Sequence, residues 1–119
     1  MNSRPVSTYL RFIRRRSGIT QKQLAEFLGT VTSSQVSRHE RSAGPPNLLT
    51  AFGYQVIFRR PVSEIFPGLY HAVEAAVEER LAELEEELGK SALRGRAAAG
   101  VARQLEWLAE RRDSEINEK

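Results

Sequence analysis

Between residues 20 and 40 the chain writes the same helix-start signal twice, with a glycine in between: TQKQLAEFLGTVTSSQVSRHE. Thr20 is a good N-cap, and Gln23 stands three positions on, where a capping box puts its reciprocal partner. Leu24, Ala25, Phe27 and Leu28 then fall along one side at helical spacing. Gly29 follows where a left-handed C-cap is wanted. Thr32 and Gln35 repeat the start, which predicts a second helix over about 33–41 after a turn of roughly three residues. Two helices joined that tightly must cross steeply. In the second, Val36 is the only large apolar residue between Thr32 and Leu48, so it is expected to anchor the helix on Leu24 and Leu28. Ser33, Ser34, Ser37 and Arg38 are left facing out. Short hydroxyls and one guanidinium suit base edges and phosphates in a groove too narrow for bulky chains.

The stretch LRFIRRRSGITQKQLAEFLGTVTSSQVSRHER, followed by PPNLLTAFGYQV and VSEIF, resembles the XRE-type helix-turn-helix domains of phage repressors and bacterial regulators. The resemblance covers about residues 8–66. It rests on the TQ opening, the LA and LG of the first helix, and the VSR-x-ER that closes the second. It implies a five-helix, lambda-repressor-like fold with helix 1 at about 5–17, helix 4 at about 46–55 and a short fifth helix capped by Ser63. Two departures stand out. Thr30 and Val31 both separate Gly29 from Thr32, where the family has one apolar residue, and Ser42-Ala43-Gly44 makes a longer loop after the Glu-Arg pair.

The same resemblance implies double-stranded DNA as the partner and a contact set of Gln21, Ser33, Ser34, Gln35, Ser37, Arg38 and Arg41. Gln21 matches the family's phosphate-clamping glutamine, and the positive end of its helix favours a phosphate there. Gln35 is either a base contact or a capping-box partner. Arg38 meets guanine N7 and O6, or only phosphate. Glu40 is expected in a structural ion pair with Arg11 or Arg14 and is left out of the contact set.

Charge supports this division of labour. The whole chain of 119 residues carries +3, but residues 1–62 hold ten Lys or Arg against Glu26 and Glu40, a net +8, and residues 63–119 hold eight against thirteen, a net −5. The front half is a polyanion binder by charge. Phosphate contacts there release condensed counterions, with Arg11, Arg14, Arg15, Arg16, Arg41, Arg59 and Arg60 as candidates; Arg14, Arg15 and Arg16 span most of a helical turn and cannot all face one duplex.

Beyond Pro67-Gly68 the pattern changes. Leu69, Val73, Ala76 or Val77, Leu81, Leu84 and Leu88 draw one apolar stripe down a helix predicted over about 68–88. Gly89 is placed to end it and Ser91 to open another, along which Leu93, Ala97, Val101, Leu105 and Leu108 continue to about residue 111. Small residues at Ala97, Ala98, Ala99 and Gly100 permit close helix approach, and Trp107 adds apolar surface. The acidic run Glu83, Glu85, Glu86 and Glu87 reads as a solvated face. The expected organisation is all-α: a DNA-binding domain over 1–66 with a core of Leu10, Ile13, Leu24, Leu28, Val36, Leu48, Leu49 and Phe52, and a helical hairpin over 67–119. Two helices alone bury little, so residues 67–111 are expected to form a homodimer.

The sequence argues against other classes. It contains no cysteine, no Gly-rich phosphate cradle and no nucleophile paired with a base, so neither an enzyme nor a cofactor is expected. His39 and His71 read as surface residues with no third ligand at metal spacing. No run of about 18 apolar residues is present and the start MNSRPVSTYL lacks a secretory apolar centre, which predicts a cytoplasmic protein with no membrane partner. A transcriptional repressor is the expected function, repression following from size alone. The alternative is an antitoxin-like protein whose C-terminal hairpin binds a protein partner while the front domain regulates its own operon.

Overall fold

The computed structural model describes residues 8–94 and 99–117, and every element among them is helical. In chain order these are α1 (Leu10–Arg16), α2 (Gln21–Leu28), α3 (Ser33–Glu40), α4 (Leu48–Phe58), α5 (Val62–Ile65), α6 (Pro67–Leu93) and α7 (Ala99–Asn117). The chain divides into two compact units, 1–74 and 75–119, with α6 running through the division.

In the front unit, both duplicated start signals form. Thr20 Oγ1 accepts from the Gln23 N–H at 3.0 Å while Gln23 Oε1 accepts from the Thr20 N–H at 2.9 Å. Thr32 and Gln35 repeat the arrangement at 3.2 and 2.8 Å. Each box satisfies two backbone donors that a helix start leaves orphaned. Gly29 sits at φ 78°, where an L side chain is disfavoured, and its N–H closes α2 on the Ala25 carbonyl. The additional residue of the turn is accommodated by Val31, which packs half-buried against the core.

That core gathers Leu10, Leu24, Ala25, Val36, Tyr54, Ile65 and Phe66, with Ile13 and Leu28 against its rim. Leu48, Leu49 and Phe52, expected inside, are instead 68, 67 and 52 % exposed. The reason is the composition of α4. LLTAFGYQVIF is apolar nearly all round, so periodicity cannot select its inner face. Thr50, Ala51 and Tyr54 occupy that face, and Gly53 lets α2 come close: a Cβ there would fall 2.5 Å from Leu28 Cδ2. Tyr54 suits the interior because its hydroxyl finds a partner in His39, 2.8 Å away.

Helix limits differ from the expected ones where a stronger local signal intervenes. Thr8 and Tyr9 are not helical, and the Tyr9 N–H is held by the Ile65 carbonyl at 2.8 Å, so α1 starts at Leu10; positions 5–7 of the expected helix lie outside the described residues. Asn47 caps α4 through the Thr50 N–H at 2.9 Å and shifts that helix toward the C-terminus. Ser63 does not cap α5 but lies inside it. Pro61 takes the N-cap place, and the Val62 N–H is satisfied by the Gln55 side chain at 2.9 Å.

In the rear unit, α6 does not stop at Gly89. It continues through Ser91 to Leu93, so neither the glycine cap nor the serine start forms there. An interior glycine costs a helix only about 1 kcal/mol relative to alanine, less than a flanking helical register on both sides returns. Leu88 and Leu108 are the buried apolar residues of this unit, with Leu81, Leu84, Val101 and Leu105 half-buried. Ala76 is half-buried while Val77 is exposed. Ion pairs Arg111 to Glu78 and Arg112 to Glu85 link α7 to α6. Ala97 and Ala98, read as small residues permitting close approach, lie outside the described residues; Ala99 and Gly100 open α7 on exposed positions.

Candidate nucleic-acid interface

Two residues on the inner side of α3 fix how it is presented. Val36 is fully buried in the core, and Glu40, one turn later, is buried in a polar cluster. Arg14 donates to both Glu40 oxygens, through Nε to Oε2 and through Nη2 to Oε1 at 3.2 Å. The other guanidinium donor, Nη1, reaches the Ile19 carbonyl at 3.0 Å, and Gln21 Nε2 donates to Glu40 Oε1 at 3.0 Å. Thr8 Oγ1 adds a bond to the Glu40 carbonyl at 3.2 Å. One carboxylate therefore ties α1, the start of α2 and the end of α3 into one polar lock, with its charge matched inside.

With 36 and 40 turned inward, the opposite side of α3 is open. Ser33, Ser34, Gln35, Arg38 and Arg41 are exposed and Ser37 is half-exposed. These are the expected side chains other than Gln21, all on α3 or at its C-cap. Four are engaged locally. Gln35 Oε1 serves the capping box, Arg38 Nη2 donates to the Ala43 carbonyl at 3.2 Å, and Arg41 Nε donates to Ser37 Oγ at 3.3 Å. The longer loop after α3 supplies the carbonyl that steers Arg38; Ser42 at φ 60° and Gly44 at φ 153° shape it. Gln21, the remaining expected contact, is half-buried at the start of α2, with its amide nitrogen donating to Glu40 on the inner side of α3.

Two positions depart from expectation. Arg14 is not a phosphate ligand, because its guanidinium is buried on Glu40; of the two partners open to Glu40, the structure selects Arg14 over Arg11. Arg11, Arg15, Arg16, Arg41, Arg59 and Arg60 remain exposed cations. His39 is not a surface residue. It is half-buried against Tyr54, the rings meeting edge to face at 5.8 Å. Burial first, and the neighbouring Arg38 charge second, lower its pKa below the usual histidine value, so it is neutral at pH 7. Burial, with a contribution from Glu40, raises the Tyr54 phenol, which stays protonated. The spacing of His39 and Tyr54 in sequence gives no sign of this pair. His71 is exposed, 3.4 Å from Glu74. Among the described residues no group of three metal-ligating side chains occurs, and no helix is long and apolar enough to cross a membrane.

The arrangement can present hydroxyl, amide and guanidinium groups to a duplex from a helix locked at its far end. No curated protein and no solved structure matches the chain. The helix-turn-helix family model matches residues 10–65, the span of α1 to α5. Residues 10–65 are thus an XRE-type helix-turn-helix domain, the DNA-binding part of a transcriptional regulator.

Proposed function

We propose that this chain is a sequence-specific repressor that lays α3 in the major groove of its operator. Ser33, Ser34, Gln35, Ser37 and Arg38 read base edges, and Gln21 and Arg41 take phosphates. The supporting observation is the division of α3: Val36 and Glu40 are buried while Ser33, Ser34, Gln35 and Arg38 are exposed. Arg38 reaches a guanine by exchanging the Ala43 carbonyl for N7 and O6, and Gln21 reaches a phosphate by leaving Glu40, which keeps Arg14. The rear hairpin, residues 67–111, joins two copies. Exposed Val77 and Trp107 support that role, since large apolar surface on a two-helix unit is best covered by another chain. A two-fold dimer would set two copies of α3 about 34 Å apart, one duplex turn.

Arg38→Ala tests the base-reading role. Binding to a selected operator is expected to weaken by about 1–3 kcal/mol, with little change on a scrambled duplex of the same length. An equal loss on both duplexes would reduce Arg38 to a phosphate contact. Equilibrium sedimentation of the full chain tests the dimer.

A further inference from the structure

The front unit carries a second recognition feature away from α2 and α3. A groove of about 840 Å³ lies between α1, the end of α4, α5 and the first turn of α6. Five aromatic rings, those of Tyr9, Phe12, Phe58, Tyr70 and His71, line it. Tyr9, Phe12 and Tyr70 are each about half exposed, at 54, 58 and 49 %, so the rings offer their surface to the groove instead of filling the core. A concavity of this size, in which aromatic and aliphatic side chains alternate with polar ones, falls in the range of small-molecule sites, about 300–1,000 Å³.

The charged groups specify the ligand further. Arg60 and Glu64 line the groove as an exposed pair of opposite charge, 3.8 Å apart. Arg16 also lines it, with its guanidinium carbon 5.8 Å from the Phe12 ring centre. Among the described residues no carboxylate pairs with Arg16. The groove therefore holds aromatic faces beside one uncompensated guanidinium fork, which is complementary to a flat apolar body bearing a planar anion.

We propose that this groove binds a small aromatic carboxylate, with the ring system among Tyr9, Phe58 and Tyr70 and the carboxylate on Arg16. No residue of α2 or α3 lines the site, so it lies apart from the side chains proposed to read bases. It stands or fails independently of operator recognition.

The test is calorimetric titration of the full chain with 2-naphthoate and with its neutral counterpart 2-naphthamide. Saturable one-site binding of naphthoate is expected, roughly tenfold tighter than the amide, as one charge-assisted fork supplies. Arg16→Gln, at an exposed position, is expected to abolish the preference, with naphthoate losing more affinity than the amide. Tyr70→Ala is expected to weaken both probes. Absence of saturable binding at millimolar probe, or equal affinity for the two probes in the unsubstituted chain, overturns the proposal. So does concentration-dependent self-association that Tyr70→Ala abolishes with no probe binding, since the groove would then be covered by a second copy. The comparison of probes on the unsubstituted chain stands even if a variant fails to fold.

Discussion

The front unit and the rear hairpin contain comparable amounts of helix but are held by different forces. In the front, short helices meet around fully buried side chains, and a buried carboxylate links three of them. In the rear, two long helices share buried Leu88 and Leu108, and their cross-links are ion pairs on the solvent side. A buried charge network is costly to break from one side, because the surviving partner is stranded away from water, whereas surface pairs exchange readily for hydration. The front therefore has fixed geometry, while the rear leaves apolar side chains such as Trp107 exposed.

The contrast is sharpest at Glu40. Glu40→Ala strands the Arg14 guanidinium and releases Gln21, and is expected to cost about 3–5 kcal/mol. Hydrogen exchange would register it as lost protection across α2 and α3, with the hairpin amides unchanged. Leu108→Ala is the counterpart in the rear, expected to cost about 2–4 kcal/mol by cavity formation and to speed exchange in α7 without touching α3. Loss of protection in α3 from this second variant would contradict the separation of the two regions.

Tyr54→Phe removes one hydroxyl from the His39 pair and is expected to cost about 1 kcal/mol, read as a lower melting temperature. The same pair sets a pH dependence. Because the folded state lowers the His39 pKa, the unfolded chain takes up the proton first as pH falls below about 6.5, so this contribution is intact at neutral pH and lost toward acid. The front unit should thus weaken between pH 7 and 5, and a His39→Gln variant should show a flatter profile. Smallest of all is Arg112→Ala. Both Arg112 and Glu85 are well exposed, so hairpin helicity should be unchanged, and 1 M salt should likewise leave it intact.

Legibility in the sequence follows the same division. The capping boxes at Thr20 and Thr32 and the left-handed Gly29 are local devices whose partners sit three or four residues away, so sequence alone specifies α2 and α3 to within a residue. Val36 was legible because nothing else apolar stood near it. The Glu40 to Arg14 pair was half legible: charge required a partner, but only the crossing of α1 and α3 chooses between Arg11 and Arg14. The inner face of α4 was hidden because that helix is apolar on every side, and the His39 to Tyr54 pair because its residues meet only through tertiary packing. Gly89 misled because glycine is a permitted interior residue as well as a cap, and nothing within four positions of it distinguishes the two uses. Among the contact residues, exposure of Ser33 and Ser34 was readable from Val36 alone, whereas the tether from Arg38 to Ala43 depended on a loop that sequence does not shape.

The most direct measurement is selection of bound fragments from a random duplex library, run in parallel with the full chain and with a Ser33→Ala, Ser34→Ala variant. One enriched motif is expected for the full chain, made of two inverted half-sites about one duplex turn apart, with altered or lost base preference for the variant. Recovery of no enriched motif, or of the same motif from both proteins, would contradict the claim that the exposed start of α3 reads DNA.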